Sequence, residues 1–240
     1  KTQRANKVLG FDGSGNPVAV STEGTMAAPS FTASGAGAAT RSSSDKFSDL
    51  ISVKDFGAIG DGLTDDTLAI QQALAAHNNV FIPEGTFLIT SSIALTDSQA
   101  LIGAGQSCVI KCQSNSFNAI TVAARYTRIA NLRIEGGLVG IDLQGGVNEC
   151  VQNAVTDVNI VGAVTGIKLD GGASSLKPCY WNNFNRILID QPTLHGVHLT
   201  LSGAGDTPNA NRFYSVRIFS KGASTTGSGF YIEDGALNNA

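Results

Sequence analysis

Pairs of short apolar–polar runs, each pair split by a glycine, recur along the second half of the chain. A two-residue period places alternate side chains on opposite faces of a strand, so each run has one apolar face. A single pair of strands cannot bury that face, whereas stacked pairs bury it continuously. The four pairs of runs are Asn131–Ile134 with Gly140–Leu143, Asp157–Ile160 with Gly166–Leu169, Arg186–Ile189 with Gly196–Leu199, and Ser215–Ile218 with Gly229–Ile232.

The spacing of these repeats varies, as it does in solenoids whose loops carry insertions. Ile134, Ile160, Ile189 and Ile218 are separated by 26, 29 and 29 residues. The pattern therefore predicts an all-β fold, a parallel β-helix with less regular coils over 80–89 and 100–105. A β-sandwich of many short strands is the alternative, and the recurring strand–glycine–strand order favours the solenoid.

A helical period appears once, directly before these strands. Leu68, Ile70, Ala73 and Leu74 recur at helical spacing, which predicts a short helix ending at His77. Thr64 or Asp65 is the predicted N-cap. The helix follows a glycine-rich turn over 57–62, and turn and capping duties account for the four aspartates of this region, which are Asp55, Asp61, Asp65 and Asp66.

Residues 53–74, VKDFGAIGDGLTDDTLAIQQAL, resemble the motif that opens the β-helix in the pectate-lyase-like superfamily. This resemblance implies a right-handed parallel β-helix whose first coil is capped by the short α-helix. Two earlier segments, Asn6–Val18 and Gly35–Asp49, resemble the virion-attachment region and linker of bacteriophage tailspike and tail-fibre proteins. The three segments in this order imply a phage tail protein, located in the virion and synthesised in the host cytoplasm.

The same resemblance implies the organisation and partners of the chain. We expect a virion-attachment lead-in and linker over 1–50, a first strand, turn and capping helix over 51–79, and β-helix coils over 80–240. Lys1 is not an initiator Met and Ala240 follows no terminal cap, so we expect a longer polypeptide. The implied partners are two further copies in a homotrimer, other tail or baseplate proteins through the N-terminal segment, and bacterial capsule or O-antigen polysaccharide.

Composition narrows the function classes. The 240 residues carry a formal net charge of −3 without a basic stripe, so nothing indicates nucleic-acid binding. No apolar run approaches the roughly 18 residues expected of a membrane-spanning helix, so no membrane insertion is predicted. The four cysteines lack zinc-site spacing, and Cys150 and Cys179 stand one repeat apart. We expect buried free thiols, no metal and no cofactor.

The register of the repeats predicts two polar columns beside the apolar ones. Asp142, Lys168, His198 and Tyr231 form the first column, and Gln144, Asp170, Thr200 and Glu233 form the second. Parallel strands lie about 4.8 Å apart, so residues of one column are near neighbours. Carboxylates, a lysine, an imidazole and a phenol on one ribbon suit a sugar chain, and Asp142, Lys168, His198 and Tyr231 are the candidate substrate-binding residues.

Asp170 and Glu233 are the candidate catalytic pair. They stand two coils apart, and inverting glycosidases separate their carboxyls by roughly 6.5–9.5 Å. A solvated surface or a subunit interface is the alternative interpretation of both columns. Trp181 with Tyr180 and Phe184 is either a sugar-stacking platform or the packing of a coil corner.

Three functions remain open at this stage. The first is a tailspike that attaches to surface polysaccharide and depolymerises it as a glycosidase or lyase, with an active site on these coils or beyond Ala240. The second is a non-enzymatic tail adhesin or branching module. The third is a free bacterial pectate-lyase-like enzyme.

Overall fold

A computed structural model describes residues 7–21, 29–220 and 227–233. The chain divides into two compact units, Lys1–Asp49 and Leu50–Ala240. The first unit contains two antiparallel strand pairs and one short helix. Its elements are β1 (Lys7–Phe11), β2 (Pro17–Ser21), β3 (Ser30–Thr32), β4 (Thr40–Ser42) and α1 (Ser43–Phe47).

The second unit is a parallel β-helix, as predicted. Its first part has short strands and one longer helix, and their elements are β5 (Ile51–Ser52), a 3₁₀ helix (Val53–Phe56), β6 (Asp61–Asp65), α2 (Thr67–Ala76), β7 (Asn79–Ile82), β8 (Gly85–Ile89), β9 (Ile93–Leu95), β10 (Ala100–Gly103), β11 (Cys108–Cys112) and β12 (Ile120–Val122). Among the described residues, neither α-helix has the length and apolar character needed to cross a membrane.

Four regular coils follow, each with one long and one shorter strand. They are β13 (Arg128–Glu135) with β14 (Val139–Gln144), β15 (Ala154–Val161) with β16 (Thr165–Asp170), β17 (Asn183–Asp190) with β18 (His195–Thr200), and β19 (Arg212–Phe219) with β20 (Phe230–Ile232). The long strands stack in parallel on one another, and the shorter ones form a six-stranded sheet ordered β9, β12, β14, β16, β18, β20.

Each long strand bends at one residue in the left-handed region. The bends are at Asn131, Asp157, Arg186 and Ser215, with φ between 53° and 57°. Before the first bend β13 pairs with β10, and after it β13 pairs with β11. The bend therefore turns one strand across two faces of the β-helix, and it explains why a single run carries two sides of the coil.

The connections between strands fall into two length classes. A long strand reaches the next strand of the six-stranded sheet through 136–138, 162–164 or 191–194 in the first three regular coils. The return connections, 145–153, 171–182 and 201–211, are longer and unequal. The spacings of 26, 29 and 29 residues between the long strands thus differ mainly because of this second corner.

The core lies between the faces of the β-helix. Ile141, Ile167 and Val197 form one fully buried column, in the predicted register. Phe230 continues that column but is 44% exposed. The reason is that no strand within the described ranges stacks on the far side of β20.

Glycines allow the close approach of consecutive coils at the start of the shorter strands. A Cβ added at Gly140, Gly166 or Gly196 would lie 2.6–2.7 Å from the carbonyl oxygen of the equivalent glycine on the next coil. A side chain at these positions therefore forces neighbouring backbones apart. This contact explains why glycine marks each repeat.

A ladder of buried asparagines links three coils at the second corner. Asn153 Nδ2 donates to Asn182 Oδ1 at 2.9 Å, and Asn182 Nδ2 donates to Asn211 Oδ1 at 2.9 Å. The backbone N–H groups of Asn153 and Asn182 donate to the same two oxygens at 3.0 Å. Burying an amide costs free energy unless it is hydrogen-bonded. In this ladder each asparagine side chain forms a hydrogen bond with the next one.

The aspartates around the glycine-rich turn serve local structure, as predicted. Asp55 accepts from the Ser52 N–H, and Asp61 accepts from the N–H groups of Leu63 and Thr64. The predicted N-cap is wrong by one or two residues. Asp66 occupies that position, and its carboxylate accepts from the Ile59 and Gly60 N–H groups instead of capping helix α2. The turn is thereby fixed to the helix start.

All four cysteines are buried and free. Burial raises the pKa of Cys108 and that of Cys112 to about 12. A hydrogen bond with Cys150 and burial raise the pKa of Cys179 well above its usual value. Cys150 and Cys179 therefore lie close together on adjacent coils, and Cys179 is a neutral thiol.

We expect these thiols to resist alkylation in the folded protein. The thiolate is the nucleophile, and at about pH 8 a thiol of pKa about 12 is ionised in roughly one molecule in ten thousand. Mass spectrometry after iodoacetamide treatment should show no modified cysteine in the native protein and four in guanidinium chloride. Rapid labelling under native conditions would contradict the burial of the thiols.

Candidate functional site

The polar columns of the six-stranded sheet have the predicted register. Asp142 pairs with Lys168, Lys168 with His198, and His198 with Tyr231 on successive strands. Gln144, Asp170 and Thr200 form the second column in the same way. Glu233 follows β20, and its N–H donates to the Leu199 carbonyl at 3.0 Å. The structure therefore brings all six predicted site residues onto one ribbon.

Glu233 is the most accessible carboxylate of this ribbon. One oxygen contacts His198 Nε2 at 3.0 Å, and the other accepts from the Thr200 hydroxyl. These contacts, with the Thr200 bond as the largest, lower the pKa of Glu233 despite partial burial. Its side chain is 37% exposed, so an ionised carboxylate held by two partners faces solvent.

Asp170 is held more tightly and is nearly covered. Its Oδ1 accepts from the Gly172 N–H at 2.9 Å and the Ser202 N–H at 3.0 Å, and its Oδ2 contacts Lys168 Nζ at 3.0 Å. Burial pushes the pKa of Asp170 upward, but the two N–H groups and Lys168 outweigh this effect and lower it. Asp170 therefore organises the turn after β16 as an ionised group.

Asp142 has the register but not the exposure that the sequence predicts. It is only 1% exposed, because Asn118 Nδ2 at 2.7 Å and Gln144 Nε2 at 2.6 Å cover its Oδ2. Its Oδ1 is buried and has no hydrogen-bond partner among the described residues. Burial raises the pKa of Asp142, although Lys168 opposes the shift. The prediction that Asp142 lies at the surface is wrong.

A cluster of aromatic rings stands beside Glu233. His195 stacks on Tyr231 with ring centroids 4.4 Å apart, and His198 lies 5.1 Å from the same ring. His195 Nδ1 accepts from the Ser228 N–H at 3.2 Å. Burial and the nearby His198 lower the pKa of His195, so its ring is neutral near pH 7. Stacked aromatic rings beside a carboxylate suit the apolar faces and hydroxyls of a sugar.

Sequence analysis did not identify His195. Counting by twos from His198 places His195 on the apolar face, which is not where it lies. The strand pairing omits Gly166 and Gly196, so the alternation breaks at this glycine and His195 reaches the polar side. The glycine before each second strand is the signal from which this break could have been inferred.

The family comparison covers the first part of the ribbon. A family model described as "Rhamnogalacturonase A/epimerase, pectate lyase-like" matches residues 50–173, about half of the chain. The chain belongs to this pectate lyase-like family. The matched range contains Asp142, Lys168 and Asp170, whereas His198, Tyr231 and Glu233 lie beyond it. This match supports the pectate lyase-like resemblance inferred from residues 53–74.

Curated relatives match short stretches of this pectate lyase-like chain. The pre-neck appendage protein of Bacillus phage phi29 is 44% identical over 62 residues, which is 25% of this chain and 7% of the relative. The mannuronan C5-epimerase AlgE6 of Azotobacter vinelandii is 40% identical over 86 residues, 30% of this chain and 10% of the relative. The chain thus spans a tenth or less of the length of these two relatives.

Two solved structures share the pectate lyase-like fold. ORF18 of Geobacillus virus E2 superposes with a TM-score of 0.56 at 19% identity, covering 82% of this chain and 50% of that one. The catalytic unit of the GH87 α-1,3-glucanase of Streptomyces thermodiastaticus superposes with a TM-score of 0.51 at 19% identity. This superposition covers 87% of this chain and 42% of the glucanase chain. At this identity the similarity concerns the fold.

The ribbon therefore exposes several polar groups side by side. Glu233 accepts hydrogen bonds, Lys168 donates them, His198 contributes an imidazole, and Tyr231 offers a partly exposed ring. Within residues 7–21, 29–220 and 227–233, no three His, Cys, Asp or Glu side chains are grouped as a metal ion would require.

Proposed function

We propose that this chain is part of a phage tailspike, a virion tail component that attaches to bacterial surface polysaccharide. The ribbon of Glu233, His198, Tyr231 and Lys168 carries the binding part of the proposal, because it combines an exposed carboxylate, donors and stacked rings on a rigid sheet. The phage appendage proteins among the relatives support the virion part.

The proposed assembly extends the same idea to the whole protein. Residues 1–50 act as the attachment segment and linker that contacts other tail or baseplate proteins, and the β-helix coils face the host. Three copies form a homotrimer, and capsule or O-antigen is the polysaccharide partner. The protein is made in the host cytoplasm and is then built into the virion.

Depolymerisation of the bound glycan is the second part of the proposal. Asp170 and Glu233 are two carboxylates on strand positions two coils apart, the arrangement that suits an inverting hydrolase. A sugar that displaces His198 from Glu233 removes a contact that lowers the Glu233 pKa and excludes water, and both changes favour the protonated acid. Glu233 then acts as general acid and Asp170 as general base.

A non-enzymatic adhesin is the alternative, and one observation favours it. Asp170 and Glu233 both have lowered pKa values, and both oxygens of Asp170 already accept hydrogen bonds. The free site therefore presents two bases and no ready acid. An adhesin needs only the binding surface that Glu233, His198 and Tyr231 provide.

The glycan products of the full chain distinguish these functions. We expect binding to one member of a panel of purified capsules and O-antigens, with new reducing ends if the bond is hydrolysed. Absorbance of an unsaturated uronate indicates elimination instead. Binding without either product supports the adhesin, and no binding across a panel that includes the host glycan contradicts the proposal.

Variants at the ribbon test its role in binding. Tyr231→Ala is expected to weaken glycan binding about fivefold to tenfold, because a ring contact is worth roughly 1 kcal/mol. Glu233→Gln is expected to abolish product formation and to leave the fold intact. Glu84→Gln, at an exposed glutamate on an early coil, is the matched control. Wild-type binding and turnover by Tyr231→Ala and Glu233→Gln would exclude this ribbon as the site.

A further inference from the structure

Another column of residues, separate from the two polar columns of the ribbon, lies at the corner where the chain returns from the six-stranded sheet to the long strands. Its members are separated by 26, 29 and 29 residues, the same offsets as the strands that follow. Backbone hydrogen bonds connect the consecutive corners at 3.1–3.3 Å. The four residues are Tyr126, Gln152, Trp181 and Ala210.

Two of these four residues are large aromatics in an unfavourable backbone conformation. Tyr126 has φ of 59° and Trp181 has φ of 57°, a left-handed region that bulky residues rarely occupy. Each is 56% exposed, so neither is placed there to fill the core. Phe184 packs this corner instead, fully buried and stacked on Phe213 at 4.8 Å. Gln152 and Ala210 take the same conformation, so the coil imposes it, and what distinguishes Tyr126 and Trp181 is an aromatic ring that faces solvent.

Trp181 lines a surface groove with polar neighbours. The groove has a volume of about 460 Å³ and is lined by Gln152, Trp181, Asn183, Ala210 and Arg212. This volume lies within the range of roughly 300–1,000 Å³ found for small-molecule sites. Among the described residues, the lining combines one aromatic face, two side-chain amides and one guanidinium, without a carboxylate.

The charge of Arg212 is available in this groove. No ion pair of the Arg212 guanidinium exists with any residue of the described ranges. A neighbouring groove shows the contrast, because its Arg125 is paired with Asp97 at 2.8 Å and with Glu149 at 3.1 Å. A guanidinium without an acidic partner in a groove is a donor fork suited to a carboxylate.

We infer that the Trp181 groove binds an acidic oligosaccharide. A sugar ring stacks on Trp181, a uronate carboxylate pairs with Arg212, and the amides of Gln152 and Asn183 bond the hydroxyls. This inference rests on the proposed attachment to polysaccharide and assigns it a substrate class and a second binding position. Tyr126 lies two coils from Trp181, about 9.6 Å by strand spacing, and extends the stacking surface along the coils.

Trp181 is the single tryptophan of the chain, so fluorescence excited selectively at tryptophan reports on this groove. We expect the emission of the full chain to change on titration with at least one of three probes, oligosaccharides of galacturonate, glucuronate or mannuronate. The carboxyl-reduced form of the same oligosaccharide should leave the emission unchanged. Equal responses to both forms, or no response to any acidic probe, would overturn the inference.

Arginine variants test the charge contact. Arg212→Ala is expected to weaken the binding of the responding probe about tenfold or more, the value of one hydrogen-bonded charge pair. Arg217→Ala is the matched control, because it removes an exposed arginine from the same strand outside the groove. Equal affinities of Arg212→Ala and the wild type would contradict a carboxylate at Arg212.

Trp181→Asn removes the stacking ring without threatening the fold, because Asn is among the residues that tolerate the left-handed region. The melting temperature of this variant should equal or exceed that of the wild type. Titration calorimetry should show that the variant no longer binds the acidic oligosaccharide. If Trp181→Asn binds the probe with wild-type affinity, the groove is not the binding site, whereas the proposed attachment through Glu233 is unaffected. If no capsule or O-antigen binds but acidic probes still change Trp181 fluorescence, the proposed attachment to surface polysaccharide is refuted and the binding of acidic oligosaccharides in the groove is supported.

Discussion

Asn182→Ala is expected to destabilise the β-helix by about 3–4 kcal/mol, the largest effect of any single substitution proposed for this chain. Asn182 is fully buried. Its side-chain amide forms hydrogen bonds with Cys150, Asn153 and Asn211 on the coils at either side. Alanine leaves the buried Asn153 N–H without its acceptor and opens a cavity. Urea unfolding followed by circular dichroism measures the change.

Asn183→Ala is the matched control for that measurement. Asn183 is the next residue and only half-buried, and its amide makes one long hydrogen bond, to the Trp181 carbonyl at 3.3 Å. We expect a loss below about 1 kcal/mol. Similar losses for the two variants would mean that the asparagine ladder does not hold these coils together.

Gly166→Ala is expected to cost about 2–3 kcal/mol through overpacking. The new Cβ would lie 2.6 Å from the Gly196 carbonyl oxygen and 2.7 Å from the Ile189 side chain. The backbone angles of Gly166 lie outside the left-handed region, so the cost arises from contact rather than from conformation. The unfolding midpoint in urea should fall accordingly.

The last glycine of the same column is the control for Gly166. Among the described residues, a Cβ at Gly229 would meet only Ile218 Cδ1 at 3.8 Å, an ordinary van der Waals contact. Gly229→Ala should therefore leave the unfolding midpoint within about 0.5 kcal/mol of the wild type. A tolerated Gly166→Ala would show that the coils can separate at this position.

The strand register was predictable from the sequence, and accessibility was not. Aliphatic residues at a two-residue period with a preceding glycine align Ile141, Ile167 and Val197, and the structure confirms this alignment. The burial of Asp142 depends on Asn118, which is 24 residues away in the sequence and follows no repeat. A strand pattern states which side a residue faces, but not what covers that side.

The corners were the least predictable part of the candidate sites. Asn131 and Asp157 are residues that tolerate the left-handed region, but Arg186 and Ser215 take the same conformation at equivalent positions. The stacking of coils imposes the angle there, and residue preference does not. For the same reason the sequence could not show whether Trp181 packs a corner or faces solvent. The roles of Asp170 and Glu233 in catalysis remain a prediction.

The unequal return connections have an evolutionary consequence. Residues 145–153, 171–182 and 201–211 differ in length while the strands on either side keep their pairing. Insertions and deletions in the part of this corner that precedes the asparagine ladder are therefore compatible with the pairing of the strands on either side. A lineage carrying this fold can accumulate change along one edge, coil by coil, and Trp181 with its groove stands on that edge.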